Sequence, residues 1–410
     1  MKTFRFAITL LLLGSTSQAG DGETFSLVVP PVEGDRFQHA EFSCWVPNAG
    51  KPVRAVIIHQ HGCTNASPDK HPPITGDWHW RALARKHDCA LLVPMYHVAV
   101  SCDEWNDPDS GSERALLVAL ADFAKQSGHS ELKDAPWVLW GHSGGSSWSA
   151  QMIVRHPERV LAVSFRGGCH KQFGDPAFRA RFGRVARDLP LLFVWGKRET
   201  VPTSSHHVSW EPMNAMFREL RGQGGKVCRV IDPRSEHGCD DSRLMSLSFF
   251  DAVLSGETTA GVFGDIDTLD IVENNEVNQK NPGLAWMPNA AFAKLWREFS
   301  KTGTLHPVEP KLMAPELTAT RDAKGAHLTW RIVPEISGGL RGLLLYRDGK
   351  LWKKIGLKSA EFLATSRDST PEVLRGDGLT DDSGDAHSYS LTYLDAAGNE
   401  SPQSAPVRAP

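Results

Sequence analysis

Hydrophobic positions follow two patterns along the 410-residue chain. From about residue 40 to 240, short apolar runs without polar alternation are separated by segments whose apolar residues recur at helical spacing. Unbroken apolar runs are typical of strands covered on both faces. The predicted strands are 40–46, 53–59, 90–96, 137–140, 160–165, 191–195 and 226–231, and the predicted helices are 112–125, 147–155, 212–220 and 289–299. This order predicts an α/β fold with a mostly parallel sheet and helices on both faces.

The last hundred residues have a different hydrophobic pattern. Short strand-like runs are separated by turn residues, and no helical segment is evident. The predicted strands are 315–320, 327–332, 343–347, 352–355, 361–365 and 389–394. Short strands at such spacing predict an all-β sandwich. We therefore divide the mature chain into a catalytic unit over 20–302, a linker over 303–314 and a β-sandwich over 315–410.

The N-terminal residues predict export from the cell. A short basic start is followed by the apolar run 6–13 and by small residues that end at Ala19. This is the pattern of a cleaved signal peptide, here 1–19. The apolar run is shorter than the ~20 residues that span a bilayer, so we expect no stable membrane anchor. The predicted location is the periplasm or the cell exterior.

Charge and ligand spacing exclude several classes of partner. Lys and Arg total 45 against 48 Asp and Glu, and no basic run is present, so we expect no nucleic-acid partner. His59 and His61 share one face of an extended strand but lie too far apart to chelate one ion easily, with no third ligand nearby in the sequence. We expect neither a metal nor a cofactor.

The seven cysteines can form disulfides in an exported protein, with at least one thiol left over within the chain. Proximity in the sequence suggests a bridge between Cys228 and Cys239. A second candidate pair is Cys44 with Cys89, because their strands are expected to be neighbours.

The strongest chemical signal is Gly141-His142-Ser143-Gly144-Gly145, which follows an apolar strand and precedes a predicted helix. Strand, sharp turn and helix are the context that a nucleophile elbow requires. Side chains at the flanking glycines would clash with the neighbouring strand and helix. Ser143 is therefore the predicted catalytic nucleophile.

A serine nucleophile needs a base, and the base needs a carboxylate that fixes its tautomer. The chain order serine, acid, histidine selects Glu199, which follows strand 191–195, and His237, which follows strand 226–231. The alternative acids are Asp232, Glu236 and Asp240, and the alternative bases are His170 and the pair His206-His207.

The loop His59-Gln60-His61-Gly62-Cys63-Thr64 follows the second predicted strand. Backbone N–H groups in such a loop can complete an oxyanion hole with the residue after the nucleophile, which predicts the N–H groups of Cys63 and Gly144.

These motifs resemble the α/β-hydrolase superfamily over residues 40–240. His61-Gly62-Cys63-Thr64 is similar to the loop of the secreted polyhydroxybutyrate depolymerases and feruloyl or acetylxylan esterases. The resemblance implies carboxylester hydrolysis through an acyl-enzyme, with Ser143, His237 and Glu199 as the triad. Gln60, His142, Gly144 and a glutamate acid depart from the usual residues of that group.

The tail resembles a fibronectin type III module. Leu328-Thr329-Trp330 fits its early core strand, and residues 389–401 fit a late strand and the turn after it.

The sequence thus predicts a secreted serine hydrolase that cleaves esters, polymeric or carbohydrate-linked esters included. Two alternatives stay open: a serine peptidase on the same fold, and a non-catalytic surface-binding protein with a vestigial scaffold. Trp105, Trp148 and Trp210 could line a substrate mouth or pack in the core. The sequence does not predict the oligomeric state.

Overall fold

A computed structural model describes residues 22–48, 50–63, 75, 77–238, 242–256, 261–305, 314–331, 340–356, 378–395 and 399–409. The predicted signal peptide, the predicted strand 361–365, Cys239 and Asp240 lie outside these residues.

The first part of the chain is organised around an eight-stranded sheet with the order β1-β2-β4-β3-β5-β6-β7-β8. Neighbours from β4 to β8 pair in parallel, whereas β1 and β2 are antiparallel additions at one edge. Its strands are β1 (Gly22–Val29), β2 (His39–Pro47), β3 (Ala55–Gln60), β4 (Cys89–His97), β5 (Trp137–His142), β6 (Val160–Arg166), β7 (Leu191–Gly196) and β8 (Val227–Asp232). The predicted mostly parallel sheet is confirmed.

Helices lie between the strands along the chain. They are α1 (Trp78–Lys86), α2 (Ser112–Ser127), α3 (Gly144–Arg155), α4 (His170–Gly174), α5 (Pro176–Ala186), α6 (Trp210–Gly222), α7 (Ser242–Leu254), α8 (Glu276–Gln279) and α9 (Ala290–Thr302). Every residue of β3, β5 and β7 is buried, which requires cover on both faces of the sheet. Across the described part of the chain, no helix combines the length and apolarity that a bilayer span needs.

A small antiparallel sheet that the sequence did not predict follows α7. It has the order β10-β9-β11, with β9 (Val262–Asp265), β10 (Ile271–Val272) and β11 (Leu284–Met287). It joins the main core through buried side chains such as Phe263 and Trp286.

The C-terminal part contains two antiparallel sheets, β12-β13-β16 and β15-β14-β17-β18. Their strands are β12 (Glu316–Asp322), β13 (Gly325–Arg331), β14 (Leu340–Arg347), β15 (Lys350–Gly356), β16 (Gly378–Asp381), β17 (Ser388–Asp395) and β18 (Val407–Arg408). Tyr389, Leu391 and Tyr393 alternate along β17 and are all buried in a second core, which also includes Ala82 of α1. The sandwich arrangement and the fibronectin type III resemblance remain predictions.

The predicted Cys44–Cys89 disulfide is wrong, because both residues are free, buried thiols. The β2–β4 register places Cys44 opposite Leu92, three residues beyond Cys89 along β4, which separates the two by about 10 Å of strand. Cys228 is also a free, buried thiol, and its predicted partner Cys239 lies outside the described residues. Among the described residues, a disulfide joins Cys63 to Cys102.

Candidate active site

Ser143 occupies a sharp turn between β5 and α3. Its φ of 53° and ψ of −114° are unusual for a residue with a side chain, and surrounding bonds hold them. The Ser143 amide donates to the Arg166 carbonyl at 2.9 Å, and the Ser143 carbonyl accepts from the Ser146 amide at 3.0 Å. The side-chain hydroxyl is thereby presented at the carboxyl end of β5, where a nucleophile elbow places it.

The flanking glycines make this turn possible. A Cβ at Gly141 would lie 2.5 Å from the Gly145 carbonyl oxygen, and one at Gly145 would lie 2.3 Å from the Gln60 carbonyl oxygen. Both contacts are with backbone atoms that cannot move aside. The turn therefore excludes side chains at both positions, as the sequence pattern predicts.

The predicted acid and base are in direct contact. Glu199 lies in a 3₁₀ turn that begins directly after β7, and its carboxylate is fully buried. His237 follows β8, and its Nδ1–H donates to Glu199 Oε1 at 2.6 Å. That bond leaves Nε2 of the partly exposed imidazole available to a reacting group.

The alternative acids have other partners. The Asp232 carboxylate is buried and accepts from the Arg234 amide at 2.9 Å, and Glu236 accepts from the Ser204 hydroxyl at 3.2 Å. Glu199 accepts the hydrogen bond from the His237 ring.

Two consecutive glycines after β6 lie between Ser143 and the Glu199–His237 pair. A Cβ at Gly167 would lie 3.1 Å from His237 Cε1, and one at Gly168 would lie 2.1 Å from the Ser143 carbonyl oxygen. Both have positive φ, 62° and 82°. Ser143 and the Glu199–His237 pair thus pack against the same two-residue turn. Among the described residues, no hydrogen bond joins the Ser143 hydroxyl to the His237 ring. Such bonds are often long before substrate binds.

Arg166, the last residue of β6, anchors the acid and the histidine loop together. Its guanidinium is buried and donates to Glu199 Oε2 at 2.5 Å. It also donates to the carbonyls of Glu236 and Gly238, on either side of His237. Sequence reasoning missed this residue, although a charged side chain directly after an apolar strand is a signal for a site at that edge.

The charges around the pair fix its ionisation. Burial acts to raise the pKa of Glu199, but the Arg166 guanidinium and the hydrogen bonds from His237 and the Gly196 amide hold that pKa well below its usual range. Burial lowers the pKa of His237, and the neighbouring His142 adds to the effect. Glu199 is therefore ionised and His237 neutral at pH 7, the states that a triad needs.

Two further histidines surround the His237 ring. His206 stacks on it with ring centroids 3.8 Å apart, and His142 donates from Nε2 to the His237 carbonyl at 2.7 Å. His207, the other member of the alternative pair, donates to the Glu199 carbonyl at 3.1 Å. The alternative bases His206 and His207 therefore contact the Glu199–His237 pair. The third alternative, His170, begins α4.

Cys63 and Gly144, the predicted oxyanion donors, lie side by side. A Cβ at Gly144 would be 3.6 Å from the Cys63 amide nitrogen and 2.5 Å from Cys63 Sγ. Gly144 begins α3, so its N–H has no partner within that helix. The disulfide to Cys102 ties the Cys63 loop to the 3₁₀ turn that follows β4.

The other residues singled out from the sequence pack in the core. His59 stacks on Trp140 at 4.0 Å, and the His61 ring lies 5.4 Å from that of Trp105. Trp105 and Trp148 are fully buried, so they do not line a mouth. Trp210 is half-buried and packs edge-on against Trp195.

No protein-family model and no curated protein sequence matches the chain. Among solved structures, it is similar to the poly(3-hydroxybutyrate) depolymerase LpqC from Bordetella parapertussis, with 14% identity, a TM-score of 0.36, and coverage of 57% of this chain and 87% of that one. It is also similar to an S-formylglutathione hydrolase from Agrobacterium tumefaciens, with 15% identity, a TM-score of 0.38, and coverage of 59% of this chain and 96% of that one. For a fungal esterase from Rhizomucor miehei, the identity is 14%, the TM-score is 0.38, and the match covers 58% of this chain and 84% of that one. At these identities and TM-scores, the matches assign the chain to no family.

Proposed function

We propose that the protein is a serine hydrolase that cleaves carboxylic esters through an acyl-enzyme. The observation that carries this proposal is the elbow that presents Ser143 beside a buried Glu199 carboxylate hydrogen-bonded to His237. A reactive serine, a neutral imidazole and an ionised carboxylate are the three groups that acyl transfer by this route uses.

In the proposed reaction, His237 Nε2 takes the proton of Ser143 as the hydroxyl oxygen attacks the ester carbonyl carbon. The tetrahedral intermediate collapses, the C–O bond to the alcohol breaks, and His237 returns the proton to the leaving alkoxide. Water then attacks the acyl-serine by the same route and releases the acid. Glu199 keeps Nδ1 protonated throughout and stabilises the imidazolium.

The negative charge of the intermediate falls on the former carbonyl oxygen. The N–H groups of Cys63 and Gly144 are the proposed donors to it, since the two residues are adjacent and Gly144 begins a helix. The Cys63–Cys102 disulfide favours the proposal that the protein is exported, because disulfides persist in oxidising compartments.

A probe and substrate panel tests the proposal on the full chain. We expect hydrolysis of p-nitrophenyl acetate and labelling by a fluorophosphonate probe, with the adduct found by peptide mass at Ser143. Faster cleavage of aminoacyl-p-nitroanilides than of the ester would point to a peptidase instead. A folded protein that takes no label and cleaves neither substrate contradicts the catalytic assignment and supports a vestigial scaffold.

Gly144→Ala tests the proposed oxyanion loop. The new methyl group would sit 2.5 Å from Cys63 Sγ, so the loop must shift and carry the Cys63 N–H away from the oxyanion. Loss of one such donor lowers kcat by ~10²–10³-fold, which sets the scale of the expected loss with p-nitrophenyl acetate. Gly174→Ala is the matched control, because a Cβ there meets nothing within 4 Å. Equal kcat values for the two variants would remove Cys63 from the mechanism.

A further inference from the structure

Two histidines and one glutamate converge at one end of the β2–β4 pair, and none of them belongs to the candidate active site. His39 begins β2, His97 ends β4, and the antiparallel register places them directly opposite each other. Glu41 follows His39 by two residues and so shares its face of the sheet. Two neighbouring strands therefore hold the three side chains in fixed register.

The Glu41 carboxylate lies at metal-ligand spacing from both imidazoles. The two imidazole rings stack with centroids 4.0 Å apart. Glu41 Oε1 lies 3.5 Å from His39 Nε2 and 3.3 Å from His97 Nε2. Ligands at ~2.0–2.1 Å from a tetrahedral ion are about 3.3–3.5 Å apart, which is the spacing of Glu41 Oε1 from each imidazole nitrogen. All three donor atoms lie within 4.8 Å of one another, and the stacked rings would turn so that both nitrogens face the ion. Within the described residues, this is the only group of three such donors.

The His97 nitrogen that faces Glu41 lacks a well-aligned hydrogen bond. Across the described part of the chain, His97 Nε2 is buried without a hydrogen-bond partner, although it lies near the Glu41 carboxylate. A metal ion bound by the three side chains would give this buried nitrogen a partner.

We propose that His39, Glu41 and His97 bind one divalent ion of the zinc type. Two imidazole nitrogens and a carboxylate oxygen suit Zn²⁺, and three protein ligands leave a fourth position to water. The ion would link β2 to the end of β4. From His97 the chain reaches Cys102 within five residues, so the ion would also fix the start of the segment that the disulfide joins to the Cys63 loop.

Titration of the EDTA-treated full chain with Co²⁺ and then Zn²⁺ tests this site. We expect one equivalent of Co²⁺ with the visible absorption of a tetrahedral complex, its displacement by Zn²⁺, and a higher melting temperature with Zn²⁺. His39→Gln and His97→Gln each remove one ligand and should weaken Zn²⁺ binding by roughly tenfold or more. His39 is half-exposed, so His39→Gln is readable even if His97→Gln folds poorly.

His129→Gln is the matched control. His129 and Glu131 are also two residues apart and in contact at 2.9 Å, but they belong to no such three-donor group in the described part of the chain. This variant and His237→Gln should both bind Zn²⁺ like the wild type, which separates the site from the histidines around Ser143. The proposal is wrong if the wild type takes up no Co²⁺ or Zn²⁺, or if His39→Gln binds as tightly as His129→Gln.

Discussion

Ser143→Ala is expected to lower kcat/KM for short p-nitrophenyl esters by roughly 10⁴-fold or more, because no other group forms the acyl-enzyme. Some turnover above the rate in water should remain, since the oxyanion donors are untouched. The side chain makes no hydrogen bond to the His237 ring that the substitution would break. Alanine keeps the Cβ, so the strain at φ 53° is unchanged. The free energy of unfolding should stay within about 0.5 kcal/mol of the wild type.

Ser149→Ala, on the helix that follows Ser143, is the matched control. The Ser149 hydroxyl is buried and has no hydrogen-bond partner in the described part of the chain, so its removal should leave folding and ester turnover intact. Urea unfolding and p-nitrophenyl acetate turnover of both variants provide the comparison. If Ser143→Ala keeps its activity in a preparation free of wild-type enzyme, the proposed mechanism is wrong.

Arg166→Met is expected to destabilise the protein by about 3–5 kcal/mol, the usual loss when one partner of a buried ion pair is removed. It should also change the pH dependence of ester hydrolysis. Catalysis needs Glu199 ionised and His237 neutral, and in the wild type both pKa values are lowered, so kcat/KM should fall only well below pH 6.5. The guanidinium lowers both pKa values. Without the guanidinium both pKa values rise, so the acid limb of the profile, where kcat/KM falls as the pH is lowered, moves to higher pH.

Arg221→Met separates this electrostatic role from simple loss of packing. Arg221 is also fully buried, but it donates to backbone carbonyls, among them that of Leu284 at 2.7 Å. Its removal should lower the free energy of unfolding without moving the acid limb. Arg166→Lys keeps the positive charge, but a lysine cannot reach all the acceptors that the planar guanidinium of arginine reaches. We therefore expect a smaller shift of the acid limb together with a loss of stability. An acid limb that is the same in wild type and Arg166→Met contradicts the positioning role of Arg166.

The central strands could be predicted closely because burial on both faces leaves a clear trace in the sequence. Each of the seven predicted strands of the main sheet lies within two residues of its observed bounds. Strand β1 left no such trace, since most of its residues are partly or fully exposed and its pairing with β2 is decided by tertiary contacts. Helix α7 is buried on nearly all sides, so it lacks the polar face that reveals a helical period.

Two helices absent from the prediction, α5 and α1, begin at capping residues that the sequence displays. Helix α5 begins after Asp175, whose carboxylate accepts from the amides of Ala177 and Phe178, and Pro176 is its first residue. Aspartate followed by proline is a recognised start of a helix. Helix α1 begins similarly, with Asp77 as its cap.

In the candidate site, chain order and position after predicted strands selected Glu199 and His237, whose side chains are hydrogen-bonded. The roles of Arg166 and the Cys63–Cys102 bridge depend on contacts between segments distant in sequence. Cys102 is 39 residues from Cys63, and nothing in the spacing of seven cysteines favours that pair. The convergence of His39 and His97 likewise depends on the register of two strands.

The separate core of the C-terminal sheets bears on how such a chain can change over time. Its buried side chains cluster with one another and with Ala82 of α1, whereas the strands that hold Ser143, Glu199 and His237 belong to the larger core. Among the described residues, the two cores are therefore packed largely independently of each other. Replacement of the C-terminal strands by another module, in evolution or by recombination in the laboratory, would leave the buried apolar neighbours of the Ser143, Glu199 and His237 strands in place, and Ala82 would need a new apolar partner.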